Sequence, residues 1–138
     1  MRADLPISVD LDLDNQIILY RLYGTFDGFD VSTLLSTVLT PIDEPWKYDA
    51  ITDLRRFKGN LRVMDVEAMA EDWTNRVGEK DKGRHTAIVA DNPETLSRLP
   101  LTRSLFPGRI ITVVPTLDEA LDWIHTQRAS KLLSPSLP

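Results

Sequence analysis

Cysteine is absent from the 138 residues, which excludes disulfides, thiolate metal ligands and cysteine nucleophiles together. Histidine occurs only at positions 85 and 125, and no zinc spacing is present. No stretch approaches the roughly 18 apolar residues that a membrane span needs. The opening MRADLPISVD carries charges and no apolar run of signal-peptide length, so the expected location is cytoplasmic, with no integral membrane segment. Sixteen Lys and Arg against twenty-one Asp and Glu give a net charge of −5, an acidic balance that argues against duplex nucleic acid. Stacking on single strands needs cations interleaved with aromatics, and Trp46, Trp73 and Trp123 lie in helix or connector contexts without them. The segment Gly24-Thr25-Phe26-Asp27-Gly28 follows a strand but matches neither the dinucleotide nor the phosphate-loop pattern. No serine stands in a nucleophile elbow, and neither histidine has an acid placed beside it by the sequence. The expectation is a protein that is not an enzyme, with no cofactor and no bound metal.

What is present is a regular alternation of elements. Ile7, Val9, Leu11 and Leu13 alternate with Ser8, Asp10, Asp12 and Asp14, which predicts a half-solvated edge strand. The pair Asp14-Asn15 turns the chain into QIILYRLY, apolar on both faces and therefore an interior strand ended by Gly24. Asp27 or Asp30 can cap a helix whose apolar positions are Val31, Leu34, Leu35 and Val38, stopped by Pro41 and Pro45. YDAITDL predicts a third strand. Asp65 then caps an amphipathic helix with Val66, Met69, Ala70, Trp73 and Val77 on one stripe. TAIVA predicts a buried strand, Asn92-Pro93-Glu94 a helix start, and Pro100 an interruption of that helix. IITVV is a last strand, and Thr116-Leu117-Asp118-Glu119 a capping box before the closing helix. The order predicts one α/β domain over residues 1–128 and a tail over 129–138. The sheet is mixed and mostly parallel, with about five strands, an N-terminal antiparallel hairpin and about four helices.

Element order and residues together resemble the STAS domains, in particular the SpoIIAA-like subgroup of small stand-alone bacterial proteins. The stretches that carry the resemblance are YRLYGTFDG, YDAITDLRRF, HTAIVADN and the closing GRIITVVPTLDEALDWI. It runs from about Ile7 to about Ile124 and implies helices packed mainly on one face of the sheet, with no required cofactor. Some members are anti-anti-sigma switches, phosphorylated on a Ser or Thr after the third strand. The matching loop here, Arg55 to Val66, contains no Ser, Thr or Tyr, so that switch is not carried over. The fold kinship of the subgroup to CRAL-TRIO lipid carriers implies that apolar ligand binding is open to it.

Ligands of parallel sheets bind outside the carboxyl ends of the strands. Residues expected there are Asp53, Asp91 and the basic loop Arg55, Arg56, Phe57, Lys58 and Arg62, whose four cations can dock an anion or an acidic partner. The plainer explanation is a solvated loop paired with the acidic helix Glu67–Asp72 beside it, with Phe57 folded onto the core. His125 is explained as a favourable cation in the last turn of the closing helix. Two functional readings follow. The first is a non-catalytic binding or regulatory module acting through a protein partner or as a homodimer. The alternative is a carrier or sensor of a small apolar or anionic ligand.

Overall fold

Five strands form one sheet in chain order: β1 (Ile7–Asp12), β2 (Ile17–Gly24), β3 (Asp49–Phe57), β4 (Arg84–Val89) and β5 (Arg109–Val114). The computed structural model describes residues 7–24, 33, 37, 39, 41–58 and 62–133. β1 pairs with β2 antiparallel, from Ile7 opposite Leu22 to Asp12 opposite Ile17, and every other neighbouring pair is parallel. The acidic alternating strand is therefore at the edge and the doubly apolar β2 is interior, as their patterns predict. Asp12 closes the hairpin by accepting from the Asn15 backbone N–H at 3.1 Å.

Four helices have described bounds: α1 (Val63–Val77), α2 (Pro93–Ser97), α3 (Leu99–Leu105) and α4 (Leu117–Leu133). Three differ from expectation. Asp65 is not the cap of α1 but its third residue; its carboxylate accepts from the backbone N–H of the N-cap Arg62 at 2.8 Å. The helix predicted after Asn92 is two helices that meet at Arg98, with Pro100 in the first turn of α3. The closing helix continues to Leu133, into the stretch predicted as tail, so His125 is an exposed mid-helix residue. The predicted capping box is present, with Thr116 Oγ1 accepting from the Glu119 N–H at 3.1 Å. Thr33, Thr37 and Leu39 are helical, whereas Asp27, Asp30, Val31, Leu34, Leu35 and Val38 of the predicted first helix lie outside the described residues.

The sheet has two unlike faces. On one, Ile17, Ile51, Ala87 and Val89 pack against Ala120 and Ile124 of α4, and all six are at most 3% exposed. On the other, Ile18, Tyr20, Leu22 and Ala50 meet Leu39, with Met69 and Trp73 of α1 packed against them. α2 and α3 lie over this second face too, so α4 alone among these helices covers the first.

Candidate functional site

Alternation along the two central strands shows where packing fails. In β3 and β4 the residues facing α4, namely Ile51, Asp53, His85, Ala87 and Val89, are all buried. Their neighbours facing the other way, Thr52, Leu54, Thr86 and Ile88, are only half-buried although three helices cover that face. Interiors normally pack to crystal density with few voids larger than a water. Here a cavity of about 460 Å³ separates sheet from helices.

Its origin is local. The register aligns Ile18, Ala50, Thr86 and Ile111 in one row across the sheet, and Tyr20, Thr52 and Ile88 in the next. Small side chains, Ala50, Thr52 and Thr86, thus occupy the centre of the floor. Above them, Val66, Met69 and Trp73 of α1 form the wall; of the stripe predicted as core, Val66, Ala70 and Val77 are buried, while Met69 and Trp73 pack against the core half-buried and line the cavity. The remaining cover is thin, since neither α2 nor α3 buries a single residue and Leu96 is 52% exposed. Sparse burial of this kind marks segments that open at low cost. The exposed lining residues Asn92, Pro93 and Glu94 follow the carboxyl end of β4, whereas Ile18, Ala50, Arg109 and Ile111 at the other end are buried. The cavity opens at the edge where parallel sheets bind ligands.

Its closed end is held by buried charges. Arg109 Nε donates to Asp81 Oδ2 at 3.1 Å, and Nη1 donates to the His85 carbonyl at 3.2 Å. The Trp73 indole N–H donates to the same Asp81 oxygen at 2.8 Å, with the guanidinium 5.2 Å from that ring's centroid. Gly108 is required beside this cluster, because a Cβ there would stand 2.7 Å from Asp81 Oδ1. Burial lowers the Arg109 pKa from its usual value, against the opposing pull of Asp81. On the α4 side, Asp49 Oδ1 accepts from the His85 N–H at 2.7 Å and lies 3.2 Å from His85 Nδ1, while Oδ2 accepts from Arg128 Nε at 2.8 Å. Trp123 meets the His85 ring edge-on at 5.7 Å. Fold closure thus supplies His85 with an acid 36 positions away in sequence, which sequence proximity did not indicate.

The residues singled out from the sequence divide between two places. Phe57 is half-buried and lines the cavity. Asp53, Arg55 and Arg56 instead line a polar depression with Arg21 and Tyr23 at the carboxyl ends of β2 and β3. Arg55 forks onto Asp53, Nε to Oδ1 at 3.0 Å and Nη2 to Oδ2 at 2.9 Å, and Asp91 adds to the charge around it. Arg62 forks onto Asp65 at 3.1 and 3.2 Å. Two of the four cations, Arg55 and Arg62, therefore meet acids, Asp53 and Asp65, and Arg55, Arg56 and Phe57 are the last residues of β3 rather than part of a loop. Arg56 and Lys58 are exposed, and residues 59–61 of the loop lie outside the described residues. Among the described residues, no group of three or more His, Asp or Glu side chains is placed to hold a metal ion, and no helix is long and apolar enough to cross a membrane.

The two forks carry a pH dependence. The hydrogen bonds from Arg55 to Asp53 and from Arg62 to Asp65 lower both carboxyl pKa values below 3.8. A depressed folded-state pKa contributes stability that is complete above the unfolded value and is lost as pH falls through the folded one. Melting temperature is therefore expected to hold down to about pH 4 and to fall below it. Asp53→Asn should flatten that acid limb; an unchanged limb would remove Asp53 from this explanation.

No protein-family model matches the chain, and no curated protein does. Solved structures do. An uncharacterized protein of the DUF3478 family with a SpoIIAA-like fold, from Shewanella loihica PV-4, superposes with a TM-score of 0.57 at 18% identity, covering 90% of this chain and 98% of that one. The anti-sigma factor antagonist SpoIIAA in its unphosphorylated form gives 0.51 at 16% identity, covering 87% and 96%. The chain has a SpoIIAA-like, STAS-type α/β fold, as the resemblance in its sequence implies.

Proposed function

We propose that this chain is a non-catalytic binding module that holds a small, mainly apolar molecule between its sheet and helices, as a carrier or sensor. The observation that carries this reading is the cavity of about 460 Å³, floored by Ala50, Thr52 and Thr86 and open at the carboxyl ends of the strands. That volume is within the usual range for small-molecule sites, and a mostly apolar lining with a few polar groups is their usual composition. The thin cover of α2 and α3 supplies an entry route.

Native mass spectrometry of freshly purified protein is the test. A bound mass, lost on organic extraction and accompanied by a lower melting temperature afterwards, is expected. Repeatedly ligand-free spectra, with no shift in melting in a screen of apolar compounds, would overturn the reading.

A second reading, contact with a protein partner or a second copy, is favoured by one observation. Val63 and Met64, 46% and 60% exposed, begin α1 shortly after Arg56 at the end of β3 and Lys58. One neighbour of similar fold is an anti-sigma factor antagonist, and in switch-type relatives the phosphorylated hydroxyl follows the third strand. Here the segment from Arg55 to Val66 contains no Ser, Thr or Tyr, so partner contact at this place would not be controlled by a hydroxyl within that segment. Both readings are free of catalysis.

A further inference from the structure

The polar side chains that line the cavity narrow the ligand class; this rests on the cavity being a binding site. Tyr20 lines the cavity, and no described residue hydrogen-bonds its hydroxyl. Since no buried side-chain oxygen among the described residues lacks a partner, that hydroxyl opens on the cavity rather than into packed protein. Burial pushes the Tyr20 pKa well above its usual value, with the Arg109 charge opposing the rise, so the phenol stays protonated and can donate. Arg109 spends Nε on Asp81 and Nη1 on the His85 carbonyl and Thr86 Oγ1, and Nη2 makes none of these bonds. Tyr20 and Arg109 both line the cavity, and the Arg109 charge acts on the phenol. Tyr20 and Arg109 therefore offer donors to anything in the cavity.

Charge decides which acceptor belongs there. The buried charges beside the cavity's closed end are one carboxylate, Asp81, and one guanidinium, Arg109, while Asp49 meets the partly exposed Arg128 on the α4 side. That set is already balanced. A carboxylate or phosphate head would bring an extra buried charge with no counter-charge of its own, which is costly, whereas a neutral oxygen accepts hydrogen bonds at no such penalty. At the mouth, Asp72 and Glu94 against Arg98 add no positive excess that would favour an anion there.

We infer that the cavity takes an uncharged, single-chain or compact apolar molecule whose polar end is a neutral hydroxyl or carbonyl oxygen, seated between Tyr20 and Arg109 with the apolar body pointing to the mouth. The volume of about 460 Å³ equals the liquid share of roughly 15 waters at about 30 Å³ each. Dodecanol and dodecanoate match this size and differ only at the polar end.

Titration of the full chain with each, read by native mass spectrometry and by displacement of a fluorescent apolar dye, is the test. Dodecanol is expected to bind one to one, about tenfold or more tighter than dodecanoate, and Tyr20→Phe is expected to weaken dodecanol about five- to tenfold while leaving dye binding unchanged. Dodecanoate binding as tightly as dodecanol, or a Tyr20→Phe variant that binds dodecanol undiminished, would overturn the assignment of the polar end while leaving the cavity as a binding site. Failure of dodecanol, dodecanoate and dye alike would instead overturn the cavity as a site.

Discussion

Thr52→Phe is expected to abolish binding of apolar ligands without unfolding the protein. Thr52 is at the centre of the cavity floor, half-buried, with Leu54 and Ile88 beside it. A phenyl ring there occupies space that no side chain fills and divides the cavity between mouth and closed end. Affinity for an apolar probe should fall on the order of tenfold or more, equivalent to about 1.4 kcal/mol for each factor of ten. Inserting a large side chain into a packed core normally costs about 1–3 kcal/mol. At Thr52 the melting temperature should instead hold or rise. The same strands supply the control, because Ala87 on the opposite face of β4 is 0% exposed and packs in the cluster with Ala120 and Ile124. Ala87→Leu should lower the melting temperature and spare ligand affinity. Thermal melts and probe titrations of both variants measure this; a Thr52→Phe protein as destabilised as Ala87→Leu would mean the second face is packed after all.

Loss of Asp81 should be the most destabilising single change considered. Its carboxylate accepts from both Arg109 and the Trp73 indole, with side chains of Arg109 and Asp81 at 5% and 4% exposure. Removing one partner of a buried pair leaves the other charge uncompensated, at about 3–5 kcal/mol. Against a typical total of roughly 5–15 kcal/mol that is a large fraction, and a domain of this size should melt roughly 10–20 °C lower. Asp81→Leu and Arg109→Met are each expected to behave this way. The double variant removes both charges and should recover much of the loss, giving a coupling energy well above the range for exposed pairs. Singles that cost less than about 1 kcal/mol would show that the pair is solvated rather than buried. The cluster joins α1, the turn before β4, and the starts of β4 and β5, so its loss should also loosen the closed end and weaken ligand binding.

The fold was legible because its elements announce themselves locally. Acids alternating along β1 mark an edge, an apolar run on both faces of β2 marks an interior strand, and Thr116 with Glu119 marks the start of α4. The cavity was not legible by the same means. Periodicity reports which side chains are apolar, and by that measure Met69 and Trp73 belong to a core stripe; it does not report whether opposing volumes fill the space. The available signal was the smallness of Ala50, Thr52 and Thr86, which matters only once the register puts them side by side. Phe57 was picked out as a loop aromatic, but it is the last residue of β3, and its place in the strand brings it to the core and the cavity. Asp53 and Asp91 were expected at the carboxyl edge; Asp53 is in the middle of β3 and faces away from the cavity because strand residues alternate. The Asp49–His85 and Asp81–Arg109 contacts, 36 and 28 residues apart, arise from closure of the sheet and have no local signature.

The measurement that bears most directly on the central claim is a methyl-resolved NMR titration of the full chain with dodecanol, because the two faces of the sheet serve as each other's reference. Contacts between the ligand chain and the methyl groups of Leu54, Met69 and Ile88 are expected, with Ile51, Ala87 and Val89 silent. Contacts on the Ile51, Ala87 and Val89 face, or shifts spread evenly over both faces, would contradict a ligand held between the sheet and the α1–α3 layer.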